Sequence, residues 1–491
     1  MFRTIADRIP QDNDMPERAW VLDVRNRVLE GSLYDVLDYP FHQERSGFGE
    51  YIPLRDRRPS VRYGLCRIVV EDSVSMLFSE GHFPAVDCLD EPTRVALLAL
   101  MKETRLNEVM LDAAQRGSVG SVAILMRILN GRVFFQVMPT GNLTPSWKAD
   151  APDRLVMVRE RYKVKGAVLA SQGYDIAPQD GGRDFWFQRD WTESEECWYL
   201  PWPVIGNKGE EPQRDDSRST LHNLGFVPMV WVRNLPGGDA IDGACTFVAA
   251  IDSQIEIDYQ LSQAGRGLKY SSDPTLVIKE PSAIGMGATV VGQSGGAGGP
   301  AIMKGGDNVI LLSEAGEAKM LEISGAAAQA VIDYVRTLRE LALETVHGNR
   351  SSADKLSAAQ SGRAMELMNQ GLIWLADRLR VSYGEGALLA LLRMVVQASA
   401  KREILINGQV AQLDSKASIS LKWSPWYAPT SDDRNADAST LSTLVKNGLL
   451  SRESAVKDLA GTYDIEDTTA ELARIQATEM AASSGSAGQK P

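Results

Sequence analysis

From Pro16 to Leu37 the apolar residues Trp20, Val24, Val28 and Leu29 recur at helical spacing. A second helix is expected over Val61–Phe78. A third is expected over Glu91–Arg116, with Pro92 suited to its first turn. Then the period changes. Ser121–Met138 reads SVAILMRILNGRVFFQVM, and Asn130-Gly131 between two apolar runs is a hairpin signal. Arg154–Ala170 and Asp184–Leu200 read as further strands, and Lys208–Ser219 as an exposed charged loop. Gly225–Leu235 (GFVPMVWVRNL) reads as a buried strand. The turn Pro236-Gly237-Gly238-Asp239 after it is the clearest domain boundary in the sequence.

A different organisation follows. Thr246–Gly267 predicts a long helix with Ile251 and Ile255 on one face. Asp252 and Glu256 lie on the neighbouring face, and Arg266 and Lys269 fall at the C-terminal end, where cations suit the helix dipole. From Pro274 to Ile323 the pattern turns strand-like in PTLVIKE, GATVVG, NVILL and KMLEI, around a glycine-dense run, Gly292–Gly306, expected to be a flexible loop. Ala326–Val346 is again helical, with Val331, Val335, Leu338, Ala342 and Val346 on one stripe. After the small polar segment His347–Gly362 the helical pattern resumes over Arg363–Val381. There Leu367, Met368, Leu372, Leu375 and Leu379 are expected to face inward. Gly384-Glu385-Gly386 predicts a kink or break before Ala387–Ala400. Two short strands turn at Asn407-Gly408, and polar helices are expected over Arg434–Val445, Ser451–Leu459 and Ile465–Met480. The fold class is therefore α+β.

Composition narrows the function classes. The 491 residues are 44% hydrophobic and 24% charged, as in ordinary globular proteins. No apolar run is long enough to span a bilayer, and the N-terminal stretch lacks the apolar core of a secretory signal, so assembly in the cytoplasm is expected. The net charge of −12 argues against a tight nucleic-acid grip, which needs clustered Lys and Arg. It is compatible with a wall along which DNA slides. Tyr51–Pro59 is a local exception, a basic loop marked by proline. The four cysteines, Cys66, Cys88, Cys197 and Cys245, and the four histidines show no metal-ligand spacing, so neither a metal nor a cofactor is expected.

Two motifs carry rival chemistry. Gly292-Gln293-Ser294-Gly295-Gly296 matches the spacing of a serine nucleophile elbow, with His347 as the single downstream base. The Ala297-Gly298-Gly299-Pro300 that follows cannot begin the helix an elbow needs. The aromatics Phe185, Trp186, Phe187, Trp191, Trp198, Tyr199 and Trp202 form either a carbohydrate-binding platform at 186–202 or the packed faces of a twisted hairpin. No Gly-Lys-Ser/Thr tripeptide exists, so a Walker A ATPase is excluded.

Several segments, in order, resemble those of tailed-bacteriophage portal proteins, the head-to-tail connectors. Leu224–Gly238 resembles the family's strand before the first stem helix, Ala249–Gln263 that helix, and Asp273–Glu280 the start of the clip. Ser351–Met368 resembles the tunnel loop running into the long helix, and Leu444–Leu459 the crown. The resemblance covers most of the chain from Leu224 onward; the glycine-rich insertion departs from a compact clip. It implies an α/β wing over 1–242, a first stem helix over 243–272, a β-containing clip over 273–325 and a second stem helix over 326–346. A tunnel loop over 347–362, a long kinked helix with wing strands over 363–430, a helical crown over 431–481 and a disordered tail over 482–491 complete it. The implied function is a non-enzymatic homo-oligomeric ring, by family expectation a dodecamer, at one vertex of the virion. Double-stranded DNA would pass through it non-specifically during packaging and ejection. Implied partners are terminase, a head-tail adaptor and the major capsid or scaffold protein, with no membrane. Asn349, Arg350, Ser351, Ser352 and Lys355 would then face DNA from the tunnel loop. Asp252, Glu256, Arg266 and Lys269 would line the channel from the stem.

Overall fold

The computed structural model describes residues 1–79, 81–204, 212–239, 241–272, 275–281, 312–321, 326–348, 362–427, 431–459, 468 and 470–477. Helices and sheets are mixed through the chain, an α+β fold. The chain divides into two compact units. The larger holds Met1–Asn349 and Trp374–Ser424, the smaller Arg350–Ile373 and Pro425–Pro491. The Pro236–Asp239 turn, expected to be a domain boundary, lies inside the larger unit.

The helical wall of the larger unit begins with α1 (Glu17–Glu30) and α2 (Leu65–Phe78). Gly31, at φ 79°, closes α1 in the left-handed conformation that glycine adopts without strain. The single helix expected over Glu91–Arg116 is two, α3 (Glu91–Glu103) and α4 (Leu106–Gly117). Arg105 between them has φ 48° and turns the chain. The bend lets Leu97 and Leu100 on α3 and Leu106 and Met110 on α4 all enter one core. The Asp90 carboxylate accepts from the Thr93 amide and caps α3, with proline in the first turn as its sequence requires.

Strands β1 (Ser121–Leu129) and β2 (Arg132–Pro139) form the expected hairpin, with Asn130 and Gly131 both at positive φ. The run is apolar without alternation because β1 is covered on both faces. Val122, Ile124 and Met126 enter the helical core, while Ala123 and Leu125 enter a second cluster with Val158 and Trp191. That second cluster belongs to an antiparallel sheet built from β3 (Leu143–Lys148), β4 (Ala151–Lys165), β5 (Asp184–Thr192), β6 (Glu195–Tyr199) and β7 (Arg214–Leu221). Their order is β7-β6-β5-β4-β3, with Trp202–Pro203 also paired to β5. Strand β8 (Met229–Arg233) joins β1 to complete a three-stranded sheet with β2.

Two sequence expectations are corrected here, and the hairpin reading of the aromatic stretch is met. The strand expected to run to Ala170 ends at Lys165, and Gly166–Ser171 is helical. Asp184–Leu200 is two strands, paired antiparallel. The loop expected over Lys208–Ser219 contains β7 from Arg214 onward, with residues 205–211 outside the described residues. Its charges disguise it. Arg214 pairs across to Glu195 at 2.8 Å, and charged side chains are what an edge strand tolerates.

Helix α5 (Ile251–Ser272) leaves this body and α6 (Ala326–Thr345) returns to it; α5 lies about five residues later than the expected Thr246–Gly267, because Val248–Ala250 forms a separate 3-10 turn before it. Between them β9 (Thr275–Pro281) and β10 (Leu312–Leu321) pair antiparallel, with a register shift between Lys279 and Pro281. One strand, β10, takes in the last residue of NVILL and the first three of KMLEI. GATVVG and Gly292–Gly306 lie outside the described residues.

The last long helix of the larger unit continues through the expected kink. Helix α7 (Gln370–Leu379), of which the unit takes residues from Trp374 onward, passes into a π-helical stretch, Arg380–Leu389, and then α8 (Ala390–Ser399). Wider turns replace the break because Trp423 packs onto Gly384, at a place where any Cβ would overlap the indole. Trp423 follows strand Ile419–Lys422, which pairs antiparallel with Ala85–Cys88, and its ring lies 6.1 Å from Phe78. The hairpin at Asn407-Gly408 is as expected.

In the smaller unit Gly362–Met368, Ser431–Lys446 and Arg452–Leu459 are helical, as are 470–477. Leu367, expected to face inward, is exposed, and Asn369 is buried in that unit instead. Asn369 Nδ2 donates to the Met365 carbonyl at 3.0 Å, so its amide is satisfied by its own helix.

Helix propensity favours alanine over glycine by about 1 kcal/mol, whereas overpacking costs about 1–3 kcal/mol. Gly384→Ala is therefore expected to lower unfolding free energy in urea titrations. Gly386→Ala, whose Cβ would meet only the Val381 carbonyl oxygen at 3.5 Å, is expected to be neutral or stabilising. Equal effects at the two positions would contradict the packing account.

Candidate functional site

The site follows from a missing cap. Helix α2 begins after Gly64, which has φ 69° and no side chain to satisfy the first amides. Helix α5 supplies the acceptors. Gln254, Asp258 and Ser262 stand four residues apart and so share one face. Gln254 Oε1 accepts from the Cys66 amide at 2.8 Å, Asp258 Oδ1 from the Tyr63 amide at 2.6 Å, and Ser262 Oγ from the Val61 amide at 3.0 Å. Asp258 Oδ2 accepts a second bond from the Tyr34 hydroxyl at 2.7 Å, and the Tyr259 hydroxyl donates to the Arg57 carbonyl at 2.8 Å. Ile251, Ile255 and Ile257 are buried beside this stripe.

Asp258 is fully buried. Desolvation pushes its carboxyl up to about 6, against the opposing pull of the Tyr63 amide, the Tyr34 hydroxyl and the Arg62 charge. Burial and the adjacent Asp258 carboxylate together push the Tyr34 hydroxyl well above its ordinary range. A second polar network holds the approach to α5. Arg18 makes a bidentate pair with Asp242 at 2.8 and 2.7 Å, and buried Asn234 receives the Tyr383 hydroxyl at 3.0 Å. Asn234 Nδ2 donates in turn to the Ala244 carbonyl and the Thr246 hydroxyl, each at 2.8 Å.

Helix α6 packs antiparallel on α5. Its C-terminal end reaches the α5 root, since Gly348 lies against Val69 of α2, one turn from Cys66. Ala342, Leu343 and Val346 are buried there, whereas Tyr334 and Leu341, two turns apart on one face, are exposed.

The four residues expected to line a channel do not gather at one place. Asp252 is 71% exposed but accepts from the Met1 amino group at 3.3 Å and the Phe2 amide at 3.0 Å. Glu256 accepts from Gln260 Nε2 at 2.7 Å. Arg266 pairs with Glu44, and Lys269 is exposed. Only Arg266 and Lys269 share a feature, a cleft of about 620 Å³ against residues 40–62. Asn349, Arg350, Ser351, Ser352 and Lys355 lie outside the described residues, as does Ser294. His347, the base expected for Ser294, stacks edge-on against Trp374 at 6.3 Å. Phe185, Trp186, Phe187, Trp191 and Trp202 are buried, so they offer no open platform to a sugar. Arg161 lies over Trp186 at 4.2 Å, and Arg189 over Trp191 at 4.4 Å.

The sequence reading missed the Gln254–Asp258–Ser262 stripe. Its signal was present as three polar residues at four-residue spacing beside Ile251 and Ile255. All four cysteines are buried and unpaired. No group of three or more His, Cys, Asp or Glu side chains among the described residues is arranged to hold a metal ion. No described helix is long and apolar enough to cross a membrane. No protein-family model matches the chain, and no curated protein matches it.

Asp258 has a raised folded pKa, from 3.8 to about 6. Its contribution to stability is therefore fully present below about pH 4 and lost as pH rises through 6. A shift of this size corresponds to on the order of 3 kcal/mol. Urea titrations at pH 4 and pH 7 are expected to show that much less pH dependence for Asp258→Asn than for the parent. Equal dependence in both would refute the assignment.

Proposed function

We propose that this chain is the subunit of a phage portal ring, the channel for double-stranded DNA at one vertex of a virion. The observation that carries the reading is the pair α5 and α6. Two long antiparallel helices are rooted at one end in an α+β body, and the chain between them leaves and returns as the antiparallel ribbon β9–β10. That arrangement corresponds to the stem and clip implied by the sequence resemblance. Helix α6 also presents Tyr334 and Leu341 outward. In a head-to-tail ring a neighbouring subunit covers such a face, because heterologous contacts close when the rotation permits. The homo-oligomer passes DNA without reading its sequence, and terminase, a head-tail adaptor and capsid or scaffold protein dock on it.

The tethering of Asp252 and Arg266 shifts the electrostatic element of this reading toward the 347–362 segment. Arg350 and Lys355 there supply two cations per subunit, enough for weak, salt-screened contacts with a passing phosphate backbone.

Native mass spectrometry at micromolar concentration is expected to show a closed oligomer; a monomer alone would sink the proposal. Tyr334→Glu with Leu341→Glu is expected to shift that distribution toward monomer while changing the stability of the isolated subunit by less than about 1 kcal/mol. Arg350→Ala with Lys355→Ala is expected to leave the oligomer intact and to alter DNA packaging or retention. A double variant that packages and holds DNA like the parent removes the electrostatic role.

A further inference from the structure

Strand β4 outruns one of its partners. Its register with β3 ends at Glu160, opposite Leu143, while its pairing with β5 continues to Lys165, opposite Asp184. Arg161–Lys165 therefore has β5 on one side and no strand on the other among the described residues, which leaves that side an open edge. Alternation puts Arg159, Arg161, Lys163 and Lys165 on one face of the strand. Three of the four have carboxylates of the chain itself. Arg159 grips Asp190 at 3.0 and 2.8 Å, Lys163 meets Asp12 and Asp14 at 2.7 and 2.6 Å, and Lys165 meets Asp184 at 3.0 Å. Arg161 pairs with none among the described residues. Its guanidinium lies over Trp186 at 4.2 Å and 5.5 Å from the centre of the Trp202 ring. Arg161 Nε and Trp202 Nε1 are both buried without an acceptor. Burial, and after it the Arg159 charge, push the Arg161 pKa down against the pull of Asp14. The cation is thus held in place, short of a counter-charge, beside an unfilled edge.

We propose that β4 accepts an extended acidic segment of another protein as an added strand beyond Glu160, with a carboxylate of that segment on Arg161. In strand addition the main chain supplies affinity, and side chains at alternate positions supply the choice of sequence. A residue opposite Arg161 on the added strand projects to the same face at about 5 Å, within reach of an arginine–carboxylate pair. Stacking on Trp186 fixes the plane of the guanidinium fork. The chain shows the same chemistry two residues along, where Asp12 and Asp14 come onto this row at Lys163. A nucleic-acid phosphate could pair with the guanidinium but brings no backbone amides to the edge, so the two features together favour a peptide. The surface is complete within one subunit and does not rest on the portal reading.

The test is fluorescence anisotropy of the full chain at low salt with labelled synthetic peptides of about ten residues, long enough to cover the open edge. One alternates Thr and Glu, a second alternates Thr and Gln, and a third is the Thr–Glu peptide with a central proline. A single-stranded oligodeoxynucleotide is the fourth probe. The Thr–Glu peptide is expected to bind. Gln in place of Glu removes the charge and proline removes an amide, and each is expected to weaken binding about tenfold. Arg161→Gln is expected to weaken the Thr–Glu peptide by a similar factor and to leave the Thr–Gln peptide unchanged. If that variant does not fold, the Glu, Gln and proline peptides on the parent still decide the charge and the strand requirement. No binding of the Thr–Glu peptide by the parent, equal binding of the proline peptide, undiminished binding by Arg161→Gln, or tighter binding of the oligonucleotide overturns the proposal.

Discussion

The face of α5 that carries Gln254, Asp258 and Ser262 holds the larger unit together. It meets the buried Cys66 amide in the first turn of α2 and the Tyr63 and Val61 amides of the segment leading into that helix. A lost hydrogen bond at such a place costs about 1–3 kcal/mol, more when a charge is left behind. The same stripe fixes the angle at which α5 leaves the body. The position of α6 follows from it, because α6 packs along α5 and ends against α2. Asp258 is the vulnerable member. It is a carboxyl in a desolvated setting, held by one amide and one tyrosine hydroxyl, with the Arg62 charge also in opposition to its burial.

Around this joint the body is built by double coverage. Strand β1 is the middle layer, giving alternate side chains to helices and to the second sheet. The π-helical stretch brings Tyr383 into the same interior, where its hydroxyl reaches Asn234 at the end of β8. Gly117 makes room for that hydroxyl, as Gly384 makes room for Trp423. Tyr383 thus ties the late helix to α4 and to the end of β8, while Gly384 and Trp423 join two late segments. The Tyr383 contacts span the 236–239 turn, so the larger unit cannot be cut there without severing them.

Under the proposed portal reading, function lies at the edges of the body. The buried tryptophans and the stacking of His347 on Trp374 turn residues with chemical promise into packing. What stays open among the described residues is the outward face of α6 and the edge of β4 beyond Glu160.

The sequence by itself determined the α+β class, the β1–β2 hairpin through Asn130-Gly131, the existence of α5, the extent of α6, and the strands β9 and β10 between them. These depend on local period and turn chemistry, which neighbouring residues carry. Only the tertiary structure decided the rest. Arg105 breaks one expected helix because two apolar stripes must reach a common core. Gly384 widens a helix instead of breaking it because Trp423, some forty residues later, needs the space. Asp252, expected on a channel wall, also accepts from the Met1 amino group and the Phe2 amide, contacts that its spacing does not show. Asp258, which the sequence pattern did not single out, is fully buried. Helical spacing states which residues share a face, but whether that face meets water or another helix depends on contacts far away in the chain.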